Sequence, residues 1–203
     1  MKKVGHVGLA GTLKVKKIPA PGPGILWRLK NVLRIQFLIT WFAVMFIAPV
    51  ARACGLMVGY GKLKLRHIKV DGTVVNYGVV GYRLVTDAFN QFLVDQFQTE
   101  SSEVGDFKFH DSGIGTTAEN AGDTDIETAD GEARSTGTQA EDAADEYVSV
   151  GTITYSSALA ITEHGLFSQL TGGTLMDRTV FAEVNVGIGD SIEFDYTLAL
   201  AGS

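Results

Sequence analysis

Hydrophobic residues follow three different spacings along this chain. Ile35–Val50, IQFLITWFAVMFIAPV, is one continuous apolar run, interrupted by polar Gln36 and by helix-breaking Pro49. Thr86 is followed by apolar side chains at Phe89, Phe92, Leu93 and Phe97, a spacing that lays them on one helix face with Thr86 as N-cap. Elsewhere the period is two. KLKLRHIKVDGTVVNYGVV (62–80) predicts two strands joined by a two-residue type I′ turn at Asp71-Gly72. DFKFH, EYVSVGTITYS, LAITEHGLFS, TLMDRTVFAEV and SIEFDYTLAL predict further strands, separated by glycine-rich breaks. In the last, Ile192, Phe194, Tyr196 and Leu198 alternate with Glu193, Asp195 and Thr197, which predicts one dry and one wet face.

Many short strands and one helix predict a mainly β fold: an antiparallel β-sandwich or jelly-roll-like domain with one short amphipathic helix, preceded by an N-terminal leader. The organisation expected is a basic leader over residues 1–53, an N-terminal arm over 54–61 and a single sandwich over 62–203. Twenty-four glycines against four prolines suit such a turn-rich β domain. The stretch from Glu119 to Glu146, with ten acids and one base, reads as a solvated loop or a weakly packed strand pair.

Charge separates the leader from the rest. Residues 1–53 carry nine Lys or Arg and no acid, whereas 54–203 carry the other eight basic groups and all 23 acids, a net of −15. A basic leader on an acidic mature protein accounts for this segregation. The apolar run is shorter than the ~20 residues of a spanning helix but fits the core of a secretory signal. Ala51-Arg52-Ala53 then supplies small residues at −3 and −1, so cleavage is expected before Cys54, with the export machinery as a transient partner. A retained anchor and lipidation at Cys54 are the rival readings. The single cysteine excludes an intramolecular disulfide.

Signatures of catalysis are missing from the sequence: there is no nucleophile elbow, paired zinc spacing or HExxH. Glu163 and His164 are adjacent, and on a strand they point to opposite faces, so His164 reads as structural. HDSGIGTT (110–117) lacks the lysine of a phosphate loop and reads as a turn. The expectation is a non-enzyme that, at −15, repels nucleic acid. One candidate ligand set remains. Asp123, Asp125, Glu127 and Asp130 place carboxylates at close intervals in DTDIETADGE, the donor chemistry of a calcium site, although the spacing is not that of a helix-flanked calcium loop.

FKFHDSGIGTTAENAGDT, RSTGTQ, ITEHGLFSQLTGGTLMDRTVF and NVGIGDSIEFDYTLAL resemble a poorly characterised family of β-rich proteins. Its members occur among tailed-phage fibre- or capsid-decoration-like proteins and secreted bacterial or environmental filament subunits. The resemblance covers about Lys62–Ala201 and implies assembly and surface roles, with no catalytic residues to carry over. With the leader, it points to an extracellular subunit that homopolymerises into a pilus-like filament or surface fibre. A phage decoration or fibre protein and a secreted calcium- or carbohydrate-binding module are the alternatives. Strand donation by the arm is the expected contact, with Leu56, Val58, Tyr60, Leu63 and Leu65 as its apolar groups and glycines between them.

Overall fold

The computed structural model describes residues 22–53, 58–83, 85–96, 106–143 and 146–201. Among the described residues, nine strands form two antiparallel sheets: β1 Val58–Ile68, β2 Val74–Arg83, β3 Phe109–Gly113, β4 Ser135–Thr136, β5 Thr138–Ala143, β6 Glu146–Thr154, β7 Leu159–Phe167, β8 Leu175–Val186 and β9 Ser191–Ala201. One sheet has the order β2-β1-β9-β6-β5 and the other β4-β3-β7-β8. The molecule is a β-sandwich-like domain, as the period-two pattern predicts.

The core lies between the sheets. Leu63 and Leu65 of β1 and Ile192, Phe194 and Tyr196 of β9 meet Ile161, Leu166, Phe181 and Val184 of the facing sheet, all almost fully buried. The outer face of β9 is wet as expected. Asp195 and Glu193 stand directly opposite Lys64 and Arg66 in the β1–β9 register and pair with them at 3.0 and 2.6 Å. Thr197 departs from the pattern and is buried.

Two local predictions need adjustment. The β1–β2 connection pairs Lys69 with Thr73, and Gly72 N donates to Lys69 O, giving a three-residue loop rather than a two-residue turn. A type I′ turn needs positive φ at both central positions, but among the described residues only glycines have it. Gly72, at φ +82°, closes the loop instead. The strand β1 also begins at Val58, so the sheet takes in the end of the segment expected as an arm.

Four helical pieces are found among the described residues. The helix predicted after Thr86 is present at Asp87–Gln96, with Thr86 Oγ1 accepting from Phe89 N at 3.2 Å. Phe89 and Phe92 pack edge-on against Phe107; Phe97 lies outside the described residues. The other three belong to the leader. They are α1 Ile25–Val32, α2 Ile35–Phe42 with a π-helical continuation at Ala43–Ile47, and α3 Ala48–Ala53. In this numbering the helix after Thr86 is α4. Among the described residues no single helix is long and apolar enough to cross a membrane; Ile25–Val32 and Phe37–Ala51, bent by 75°, have the combined length and composition of a broken span.

Candidate functional site

The acidic segment 114–134 runs over the outer face of the β3-β7-β8 sheet and is fastened there by side chains of β7 and β8 and by its own Arg134. Glu163 of β7 points outward into the loop and is fully buried. Its carboxylate accepts from the backbone N–H groups of Gly115, Glu127 and Thr128 at 2.8–2.9 Å and from Arg178 Nε at 2.7 Å. Arg178 stands next to it on β8. Its Nη1 donates to Asp123 at 3.0 Å, and its Nη2 reaches Glu127 and the Thr117 carbonyl at 3.4 Å. Burial works against the Arg178 charge, but hydrogen bonds and the charges of Asp123 and Glu163 more than offset it and raise its pKa.

Arg134 is the second clamp. Its guanidinium lies 3.4 Å from the Phe167 ring centroid and donates to Asp111 at 2.8 Å and to the carbonyls of Gln169 and Gly172. Asp111 and Asp130 are both pushed up by burial, with Arg134 opposing this at Asp111 and Ser112 at Asp130.

This arrangement distributes the four candidate metal ligands. Asp123 and Glu127 share Arg178, and Glu127 also accepts from Thr117 N and Oγ1. Asp125 lies 3.7 Å from Arg134. Asp130 accepts from Ser112 Oγ at 2.5 Å, and that hydroxyl lies 3.1 Å from the Tyr155 hydroxyl in the sandwich. Among the described residues no three His, Cys, Asp or Glu side chains are grouped to hold a metal ion.

His164 points the other way from Glu163, as the strand period requires. Its ring stacks on Phe194 with centroids 4.5 Å apart. His164 Nε2 lies 3.0 Å from His110 Nδ1, and His110 Nε2 lies 2.8 Å from Ser149 Oγ. His164 Nδ1 is buried with no partner among the described residues. Donation from His164 to His110 and on to Ser149 leaves only that bare acceptor unsatisfied, the less costly orphan. Burial pushes His110 down to about 3 and His164 well below the usual value, so the chain is neutral. A Cβ on Gly151 would collide with the His110 ring, so glycine there is what lets the imidazole lie between the sheets.

The arm residues fall into three groups. Leu56 lies outside the described residues, and Val58 is described by its backbone alone, opposite Ala201. Tyr60 pairs with Ala199 of β9, while the β1–β2 ladder starts only at Gly61. Leu63 and Leu65 are core residues of the chain's own sandwich.

A contact the sequence reading missed joins the leader to the sandwich. The edge strands β2 and β8 lie beside each other on one flank, and α1 covers the seam between them. Asn31, buried, donates from Nδ2 to Val80 O of β2 and accepts from Ala182 N of β8, both at 3.1 Å. Trp27 Nε1 donates to Ala182 O at 3.1 Å and Glu183 O at 2.9 Å, its ring meets Tyr77 edge-on, and Lys30 pairs with Glu183 at 2.9 Å. The signal available in the sequence was the spacing Trp27–Asn31, one helical turn apart on a single face. No family model, no curated protein and no solved structure matches the chain.

Proposed function

We propose that this chain is the precursor of an exported, non-catalytic structural subunit that self-assembles into an extracellular filament or surface fibre. What supports the reading most is the segregation of charge. Eight basic side chains and an apolar run precede Ala51-Arg52-Ala53, and the sandwich that follows carries every acid. A mature domain of this kind, built without a disulfide, offers open sheet edges as its natural contacts, because backbone groups along an edge seek partners. Repetition of one heterologous edge contact yields an open fibre rather than a closed ring.

The test is intact-mass analysis of the exported native protein together with electron microscopy. The reading expects a chain beginning at or within a few residues of Cys54, and filaments. Export with Met1 retained, or exported material that stays monomeric, would contradict it.

A further inference from the structure

Export and the α1 contact exclude each other in space. Asn31 can bridge Val80 and Ala182 only when α1 and the sandwich share a compartment. If Phe37–Ala51 enters a membrane with its basic flank held back, α1 stays on the side of origin while the sandwich crosses. Cleavage before Cys54 then removes α1 permanently. Either event strips the β2–β8 seam of the side chains that satisfy Val80 O, Ala182 N, Ala182 O and Glu183 O.

We propose that the β2–β8 seam is the self-association surface of the mature subunit, that its partner is a second copy of this chain, and that α1 is its plug in the precursor. This rests on the exported-subunit reading and adds where the copies meet and why they do not meet early. Two observations favour a second copy. The groups left open are backbone groups of two edge strands, which an added strand from any copy can pair. The plug is encoded in the same chain and is lost in the event that delivers the subunit to its site of assembly. Trp27, Lys30 and Asn31 carry the α1 contact, with Trp27 packed against Tyr77 and the core, while Ile25, Leu26, Leu29 and Leu33 of the same segment face solvent. A groove of about 490 Å³ left open between α1 and β2, lined by Arg28, Asn31, Tyr77 and Val79 among others, is consistent with an imperfectly filled seam.

The experiment starts from the purified full-length chain with a specific protease site placed between Ala53 and Cys54. Sedimentation velocity and microscopy are recorded before and after cutting. The expected result is a monomer before and oligomers or fibres after. A synthetic peptide of residues 22–34 added at the moment of cutting should suppress association, and the same peptide with Asn31→Ala should not. In the uncut chain, Asn31→Ala removes two hydrogen bonds and should raise the open fraction roughly 5- to 30-fold, seen as concentration-dependent association. Thermal unfolding of that variant checks that the sandwich itself is intact.

A cut chain that stays monomeric overturns the seam as an association surface. A cut chain that assembles regardless of either peptide, alongside an Asn31→Ala precursor no more associated than the parent, overturns the plug and moves the contact elsewhere. In that second case the exported-subunit reading survives, since native processing and filament formation test it separately.

Discussion

Two segments cover the outside of this sandwich, and they are held by opposite means. The loop 114–134 is fastened chiefly by groups that come up from beneath it: a buried carboxylate that gathers three backbone amides, and Arg178, which pairs with Asp123 and Glu127, while the loop's own Arg134 reaches Asp111 of β3. The leader helix α1 brings its own fastenings, Trp27 and Asn31, down onto backbone groups of β2 and β8, and turns apolar residues to solvent. Removing the loop's clamps leaves charges stranded inside the protein. Removing the leader leaves backbone edge groups that water, or another strand, can satisfy, the exposed Glu183 carboxylate, and the apolar surface at Tyr77 that Trp27 covers. The first covering is therefore part of the fold's stability, and the second is a removable lid over a pairing surface.

The largest expected effect follows from that asymmetry. Arg178→Ala leaves Glu163 buried without its cation and should cost about 3–5 kcal/mol in urea unfolding. The double change Arg178→Met with Glu163→Gln should cost clearly less, since no bare charge is left. Equal costs would mean that the loop is held by its backbone hydrogen bonds alone.

Acid comes next. His110, at about 3 when folded and near 6.5 when unfolded, makes the unfolded chain bind more protons between those values. His164 shifts in the same direction. Their contribution is complete above about pH 6.5 and is lost as the pH falls. For His110 this should cost about 2 kcal/mol between pH 7 and 5, and His164 adds in the same direction. Asp111 and Asp130, raised by burial, work in the opposite direction around and above their ordinary value, so the slope flattens at lower pH. A double variant His110→Gln, His164→Gln should lose most of the pH dependence over this interval.

Gly151→Ala, which pushes a methyl group into His110, should cost about 1–3 kcal/mol by the same unfolding assay. On the leader, Asn31→Ala should cost about 1–2 kcal/mol, because it opens the seam. Smallest of all, Lys64→Ala or Arg66→Ala on the wet face should change stability by less than about 1 kcal/mol, because those pairs are solvent-screened. Calcium provides a control for the loop. With Asp123 and Glu127 on Arg178 and Asp125 near Arg134, millimolar calcium should leave the melting temperature where a chelator leaves it.

The difference between the two coverings also explains what the sequence could show. Alternation in SIEFDYTLAL is legible because one face of β9 meets water, so the wet positions are charged. Residues 159–186 hide the same period, because the loop buries the outer face as well, and Glu163, Asp177 and Arg178 are interior residues there. Glu163 and His164 were separable onto opposite faces from the strand period alone, but their partners lie 15 to 54 residues away and follow from register. The acidic run showed its charge and the base of one clamp, Arg134, but not Arg178 or Glu163, which sit outside it in sequence. The α1 contact was least legible, because a helix that satisfies edge groups of two strands needs only one tryptophan and one asparagine.

The most direct measurement is hydrogen exchange at the Ala182 amide, which β8 presents to Asn31 and not to a strand of its own sheet. It should be protected in the full-length chain, exchange freely in the chain cut before Cys54 while that chain is still monomeric, and regain protection once copies have assembled. Protection that persists after α1 is removed, or exchange that stays fast in the assembled material, would show that the seam is neither what the leader covers nor where the copies join.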